Sequence, residues 1–163
     1  MAKEESPGAA RAFMVPAEGG ERLWTMGMLM TVKASSAQTG GQCSVLDAKF
    51  PPDAAPPLHI HHHETELNLV LEGRMRFQCG EDMFDCGPGD LVFLPSGVAH
   101  SFRAGPEGAR MIGITNPGGL DQLYVRAGEP AEEDRLPDAP PNVPKWLELA
   151  PEFGIQVVGP PIQ

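Results

Sequence analysis

Four of the five histidines of this chain lie within eight positions, together with two glutamates, in the segment PPLHIHHHETELNLVLEG. His59 and His61 are two residues apart, and in a β-strand such side chains project from one face, about 7 Å apart along the backbone. Two imidazoles placed in this way can bind one metal ion. The alternative is a solvated polar loop, so the metal interpretation requires further ligands elsewhere in the chain.

Glu66 follows His61 by five residues. This odd spacing would direct Glu66 to the opposite face of an uninterrupted strand, because side chains alternate between faces. We therefore expect the chain to turn within residues 62–65, so that Glu66 opens the next strand and points at the same ion. The polar sequence at this place is unlike a strand, which agrees with a turn.

His100 is the histidine that lies outside this segment. It is part of GDLVFLPSGVAHSF, which is typical of a half-buried strand, a Pro-Ser-Gly turn and a new strand that begins near the histidine. Ligands from separate strand ends can converge on one buried ion inside a barrel. We therefore expect His59, His61, Glu66 and His100 to form a single metal site.

The ligand types in this set indicate a catalytic metal. Three neutral imidazoles and one carboxylate leave a divalent ion with one or two open positions, unlike a closed structural site. The set accepts Fe, Mn, Ni, Co, Cu or Zn, so the sequence does not fix the metal. Such a site can polarise a bound oxygen atom, lower the pKa of a phenol or enol and hold O₂. Glu66 can also accept the hydroxyl proton of a substrate.

The other polar residues of the segment are expected to lie away from the ion. We place His62 and His63 on the turn, where they are solvated or form hydrogen bonds, and we expect Glu64 to be a surface acid. Replacement of His62 by alanine is therefore predicted to do little.

Alternation along the strands identifies the residues that surround the ion. Asn68 has the parity of Glu66 and should face the interior, where its amide requires a partner. Either it bonds a neighbouring side chain or it contacts substrate. Four further residues also face inward and are either core or substrate pocket: Val70, Met75, Phe77 and Phe102.

Most of the chain is predicted to form short strands separated by glycine or proline, as in an all-β sandwich or barrel. The expected strands are residues 23–34, 42–50, 59–61, 66–71, 74–79, 83–85, 90–94, 100–102 and 110–115. Two helices are predicted late in the chain. One follows Asn116-Pro117, and the other is KWLELAPEF, opened by Asn142 and Pro144 and ended by Gly154.

Composition divides the chain into four parts. We expect an Ala-, Gly- and Glu-rich arm over residues 1–20, a barrel over 21–128, an acidic proline-rich linker over 129–143, and a C-terminal helix and tail over 144–163. The tail covers either the barrel or a neighbouring subunit.

The overall charge limits the classes of partner. With 12 basic and 22 acidic residues the net charge is −10, which argues against binding to nucleic acid or to anionic membranes. No segment is a candidate membrane span, and the first residues have no apolar signal region. The three cysteines follow no CxxC spacing and are expected to be reduced. We therefore expect a cytoplasmic protein that acts on a small molecule.

Two residue patterns, each a weak signal alone, are specific when they occur together in one chain. The first is His-x-His, four residues, Glu, six residues, Gly, and the second is Gly, five residues, Pro-x-Gly, two residues, His. They are met in this order by His59, His61, Glu66 and Gly73, and by Gly89, Pro95, Gly97 and His100. Together they resemble the two motifs of the cupin superfamily, with every metal-ligand position filled.

The flanking segments TVKASSAQTGGQCSVLDAKFPP and FGIQVVGPP are similar to those of small single-domain cupins related to quercetin dioxygenase. The resemblance implies a jelly-roll β-barrel with short C-terminal helices, one divalent metal held by three His and one Glu, and a homodimer. Position 68 more often holds an apolar or aromatic residue in that family, so Asn68 suggests a substrate with an extra polar group.

Three functions follow from this resemblance. The leading hypothesis is a dioxygenase that acts on an enolic or phenolic aromatic compound, with Glu66 as the base. The second is a cyclase, isomerase or lyase that uses the metal as a Lewis acid without O₂. The third is a non-enzymatic protein that binds a small molecule.

Overall fold

The computed structural model describes residues 10–163, so residues 1–9 of the expected N-terminal arm lie outside the described part. Residues 10–20 contain neither helix nor strand. From residue 21 onward the strands are β1 (Glu21–Thr25), β2 (Met28–Ala34), β3 (Ser44–Phe50), β4 (Pro57–His61), β5 (Thr65–Cys79), β6 (Asp82–Cys86), β7 (Leu91–Leu94), β8 (His100–Asn116), β9 (Glu129–Pro130) and β10 (Ile155–Pro161). The helices are α1 (Leu120–Ala127) and α2 (Val143–Leu149), and a 3₁₀ turn (Ala150–Phe153) follows α2.

The strands form one antiparallel barrel. Its main path runs in the order β10, β4, β8, β3, β2, β1 and β9, while β5 pairs with β6, β7 and β8. The long strands β5 and β8 pair with each other over most of their length and therefore hold the two sides of the barrel together. The predicted all-β jelly-roll barrel with short C-terminal helices is confirmed.

Two glycine-rich places that predicted chain breaks are instead irregularities within long strands. At Gly73, β5 continues with φ of 74°, and a Cβ atom there would collide with the carbonyl oxygen of Gly108. The pairing of β5 with β8 moves from Gly73↔Ala109 to Met75↔Ala104, so residues 105–108 form a bulge. Pro106 is tolerated because it lies in this bulge and not in the ladder.

Inward-facing side chains fill the barrel below the site. Val70, Met75 and Phe77 are at most 2% exposed and belong to one apolar cluster that also includes Leu23, Met30, Leu46, Phe50, Val92, Leu94 and Met111. Burial of one such side chain contributes about 1.5–3 kcal/mol to folding. This cluster fixes the strands whose ends carry the candidate ligands.

The C-terminal region forms a second apolar cluster and an additional strand. Asn142 caps α2 by accepting a hydrogen bond from the backbone of Lys145, as its type predicts. The helix gives way to the 3₁₀ turn at Ala150, just before Pro151, and Gly154 with φ of 69° ends that turn. The expected tail is strand β10, which pairs with β4. The glycine and prolines in this segment are typical of a loop, so the sequence did not predict a strand there. An edge strand tolerates them.

The acidic proline-rich segment lies against the barrel. Its first residues, Glu129–Pro130, pair with β1. Farther along, the indole nitrogen of Trp24 donates to the carbonyl of Arg135 at 2.9 Å, and Lys49 bonds Asp134 at 2.6 Å. We call residues 131–142 the strap, because they cross from β9 to α2 over the barrel. Within residues 10–163 no helix is long and apolar enough to cross a membrane.

Candidate metal centre and its cavity

Three buried histidines meet at one end of the barrel. His59 and His61 project inward from β4, and His100, the first residue of β8, pairs directly with His59 across the strands. The ring nitrogens that these residues offer all lie within 4.8 Å of one another. Each residue is at most 6% exposed. The turn expected after His61 occurs, because β4 ends there and β5 begins at Thr65.

Backbone carbonyls orient two of the three rings. Nδ1 of His59 donates to the carbonyl of Pro57 at 2.7 Å, and Nδ1 of His100 donates to that of Val98 at 3.0 Å. Since a carbonyl only accepts, the proton of each neutral ring lies on Nδ1, and Nε2 is left as a lone pair that faces the centre. This is the tautomer that a metal ligand requires.

The centre has an unsatisfied donor set that fits a metal ion. Nε2 of His100 is buried and has no hydrogen-bond partner within residues 10–163. A buried polar atom without a partner costs about 1–3 kcal/mol. Burial, with the charges of His100 and His61, lowers the pKa of His59 to about 4, and burial lowers the pKa of His100. Both rings are therefore neutral at neutral pH, which is the form that binds a metal.

Glu66 faces the same centre from the start of β5. Its Oε1 lies 3.1 Å from Nε2 of His61 and 3.9 Å from Nε2 of His100. Its Oε2 accepts a hydrogen bond from Nδ2 of Asn68 at 3.2 Å. Burial favours the neutral acid, but the three histidines and the Asn68 bond outweigh it and hold the pKa of Glu66 below its usual value. The structure thus brings the three expected histidines together in one candidate metal cluster and places Glu66 beside two of them, His61 and His100.

Glu64, which we expected to be a surface acid, is buried. It is 5% exposed, and its Oε2 lies 3.4 Å from Nδ1 of His61, on the side of the ring away from Glu66. The tight turn carries the intervening residues outward and brings the third residue after His61 back beside it. The sequence signal was the spacing of three residues, which was overlooked because acids in polar turns are usually solvated.

His62 and His63 are exposed and lie outside the centre. The backbone nitrogen of His62 donates to the carbonyl of Gly154 at 2.9 Å, and its ring bonds the side chain of Gln156 at 3.0 Å. The ring of His63 lies over Gly154, where a Cβ atom would collide with it. Both residues connect the turn to the beginning of β10.

A cavity of about 660 Å³ opens beside the centre, with His59, Glu66 and His100 among its lining residues. Its volume is within the usual range for small-molecule sites. The walls are mainly apolar and come from the barrel, the strap and α2. They include Met26, Met28, Met30, Leu46, Phe50, Phe102, Met111, Leu136, Pro137, Pro141, Trp146 and Leu147.

The expected pocket residues fall into two groups. Asn68 and Phe102 line the cavity. Val70, Met75 and Phe77 belong to the apolar core and are not among the residues that line this cavity, which agrees with the first of the two alternatives, core or pocket. These three residues face the barrel interior like Asn68, but large side chains fill the interior around them. The rings of Phe77 and Phe102, for example, have centroids 6.0 Å apart.

Two aromatic residues near the centre were missed. Trp146 of α2 packs edge-on against His59, with ring centroids 6.0 Å apart. Tyr124 of α1 lines the cavity, and burial together with the charges of Glu66 and Glu64 raises the pKa of its phenol. In the sequence these residues follow helical spacing and resemble ordinary core positions, so no local signal placed them near β4.

A cupin-domain family model matches residues 46–115, the stretch that carries all four candidate ligands. Over this stretch the chain is similar to cupin domains, and the barrel and the histidine cluster agree with that similarity.

The chain is also similar to quercetin 2,3-dioxygenase of Bacillus subtilis, with 28% identity over 136 residues. The match covers 83% of this chain but only 40% of that protein. Two solved structures share the fold. They are KdgF from Halomonas sp. (TM-score 0.58, 18% identity, 68% of this chain and 99% of that one) and a predicted oxalate decarboxylase from Thermotoga maritima (TM-score 0.58, 20% identity, 64% and 99%).

Proposed function

We propose that this chain is a metal-dependent cupin enzyme, and that it is a dioxygenase acting on an enolic or phenolic aromatic compound of the flavonol kind. One observation carries the proposal: three histidine nitrogens cluster, with the Glu66 carboxylate beside two of them, at the wall of a largely apolar cavity of about 660 Å³. The similarity to a quercetin 2,3-dioxygenase over 83% of this chain supports the choice of reaction.

The residues that would hold the metal are His59, His61 and His100 through ring nitrogens and Glu66 through a carboxylate oxygen. An ion of Fe, Mn, Ni, Co, Cu or Zn suits these ligands, and it supplies Lewis acidity and, where it is redox-active, electron exchange with O₂. The lone pairs directed inward by the Pro57 and Val98 carbonyls fit this role.

Glu66 is the proposed base. Its carboxylate is ionised, lines the cavity and is held at Oε2 by the amide of Asn68. A substrate hydroxyl placed beside Oε1 can transfer its proton to this carboxylate. Asn68 satisfies one of the two alternatives left by the sequence, the bond to a neighbouring side chain, and its place in the cavity wall allows it to contact substrate as well.

The apolar walls orient the body of the substrate and exclude water. Phe50 and Phe102 form an edge-on pair with centroids 5.0 Å apart at the barrel side, and the strap and α2 cover the opposite side. A flat aromatic molecule with one oxygen-bearing edge fits this cavity, because the walls are apolar and the polar groups are concentrated at the metal centre.

The test is oxygen consumption by chain loaded in turn with each of the six metals, with flavonols and catechols as substrates. We expect uptake that depends on substrate with at least one metal, no uptake by Glu66→Gln, and uptake close to wild type by the matched control His62→Ala. A chain that binds metal but consumes no O₂ with any of these compounds would exclude the dioxygenase.

The Glu66–Asn68 pair also favours a second candidate, a metal-dependent cyclase, isomerase or lyase. A carboxylate positioned by an amide at an apolar cavity can move a proton without O₂. Turnover of a polyketide-like or keto-acid substrate under strictly anaerobic conditions would select this reaction. Saturable binding of a ligand without turnover in either atmosphere would instead indicate a binding protein.

A homodimer is the assembly proposed for this chain. Leu91 and Phe93 on β7 are 61% and 58% exposed, which is unusual for large apolar side chains and is consistent with a covered face. Light scattering of the purified chain measures the assembly, and a monomer at all concentrations would contradict it.

A further inference from the structure

Glu64 is a buried acid with an unexplained orientation. Its side chain is 6% exposed, and Oε2 lies 3.4 Å from Nδ1 of His61, whose side chain is 2% exposed. Within residues 10–163 neither of these two atoms has a hydrogen-bond partner, so the 3.4 Å approach is a close ion-pair contact and not an aligned hydrogen bond. Burial of an acid and a ring nitrogen without hydrogen bonds is costly, and their contact with each other offsets that cost.

The other two histidines of the centre show what a partner at this nitrogen does. His59 and His100 each donate Nδ1–H to a backbone carbonyl two residues earlier and direct Nε2 inward. The Nε2 of His61 likewise faces inward and lies 3.1 Å from Glu66. His61 is therefore oriented like its neighbours, but the acceptor behind it is a carboxylate side chain.

We propose that Glu64 is a positioning residue that accepts the Nδ1 proton of His61 and so fixes the tautomer and ring orientation in which Nε2 faces the metal centre. This inference rests on the proposed metal site and adds a residue to it. A carboxylate behind a histidine ligand also raises the basicity of the ring, which strengthens metal binding.

The local structure gives this role to Glu64 alone among the acids and histidines of the turn. His62 is directed to Gln156, and His63 lies over Gly154, both at the surface. Glu66 is on the opposite side of the His61 ring, at Nε2. Glu64 therefore does not compete with Glu66 for the same nitrogen, and it acts on the centre only through His61.

The experiment uses the full chain and compares Glu64→Ala and Glu64→Gln with Glu81→Gln, which removes an acid from an exposed turn. Nitrogen-15 NMR of the imidazoles in metal-free protein reports the His61 tautomer, and competition with a chelator measures affinity for Co²⁺ and Zn²⁺. We expect Glu64→Ala to lose the carboxylate-bound Nδ1–H signal of His61 and to bind metal about 10–100-fold more weakly. Glu64→Gln should be partly rescued, because its amide oxygen accepts the same proton, and Glu81→Gln should match wild type.

The thermal stability of the variants with and without metal separates positioning from a purely structural role. A positioning role predicts that metal loading raises the melting temperature of Glu64→Ala by less than it raises that of wild type, whereas a purely structural role predicts equal increases, whatever the melting temperatures without metal. Wild-type tautomer and metal affinity in Glu64→Ala would overturn the proposal. A wild-type chain that binds neither ion would overturn the metal site and this role with it. Normal metal binding without O₂ uptake would contradict the dioxygenase alone.

Discussion

The two halves of β5 have the same inward face but opposite uses. Near its start, Glu66 and Asn68 point into the cavity and to the metal centre. Farther along, Met75 and Phe77 fill the apolar core. The pairing partners differ at two of these positions, since Asn68 lies opposite Gly113, whereas Phe77 lies opposite Phe102. At these two positions the small partner leaves space for the site and the large one fills it, while Met75, opposite Ala104, is packed by other members of the cluster.

This comparison also separates two kinds of buried polar group. Polar groups at the centre include atoms without hydrogen-bond partners, such as Nε2 of His100. Asp121, which is buried away from the centre, is satisfied because it accepts hydrogen bonds from Ser36, Ser44 and Gln122, whereas Oγ1 of Thr25 has no partner within residues 10–163. Unsatisfied buried polar atoms require an explanation, and a missing ligand is one.

Removal of a candidate ligand should have the largest effect. His100→Ala and Glu66→Ala are each expected to lower the metal content of purified chain and to abolish turnover, because three donors remain. Elemental analysis of the protein measures the metal. His62→Ala is the control, since His62 is exposed and bonds Gln156. If His62→Ala loses as much metal as His100→Ala, the assignment of ligands is wrong.

Truncation in the core half of β5 should affect stability and leave the centre intact. Phe77 is 0% exposed, and Phe77→Ala is expected to lower the free energy of unfolding by about 3–5 kcal/mol. Denaturant unfolding measures this loss. The metal content of the folded variant should equal that of wild type, and a parallel loss of metal would show that the two halves of β5 are not independent.

Asp121 should make stability depend on pH in the acid range. Burial opposes its ionisation, but hydrogen bonds from Ser44, Gln122 and Ser36 outweigh burial and hold its pKa below the ordinary value. Because the folded pKa is the lower one, its stabilisation is present above the unfolded pKa and is lost as pH falls through the folded pKa. Asp121→Asn should cost about 1–3 kcal/mol at neutral pH.

Unfolding measured at neutral and at acid pH tests this sign. The difference between wild type and Asp121→Asn should shrink as the pH is lowered. A difference that stays constant or grows toward acid pH would contradict the assignment of an ionised Asp121 in the folded chain.

Gly113→Ala should have the smallest effect and tests the space beside Asn68. A Cβ atom at Gly113 would lie 3.2 Å from Oδ1 of Asn68, so the amide must shift by a few tenths of an ångström. We expect altered KM or kcat with a change in unfolding free energy within about 0.5 kcal/mol. Gly87→Ala, which meets only the flexible end of Arg74, is the matched control. Equal kinetics in both variants would show that Asn68 does not act on substrate.

The candidate ligands could be predicted from the sequence because two short-range rules decide their position. Alternation put His59 and His61 on one face, and the odd spacing to Glu66 required the observed turn. The separation of core from pocket could not be predicted, because it depends on which residue lies opposite on another strand. Val70, Met75 and Phe77 show this limit. Strand alternation correctly predicted that they face the interior, but the sequence could not show which side chains pack around them there.

The C-terminal elements were harder to predict from the sequence, because they too depend on contacts with distant parts of the chain. Strand β10 contains one glycine and two prolines near its end, and only its pairing with β4 makes it a strand. The strap has no regular structure, yet it lines the cavity through Leu136, Pro137 and Pro141. Glu64 was misplaced because the geometry of a tight turn, which polarity does not encode, decides whether an acid is buried.

The most direct test of the metal centre is X-ray absorption spectroscopy of the metal-loaded chain. We predict one ion per chain with three imidazole nitrogens and at least one carboxylate oxygen as ligands. Loss of one imidazole from this set is expected in His100→Ala. A coordination sphere with sulfur ligands, with fewer than three imidazoles in wild type, or one unchanged in His100→Ala would contradict the account.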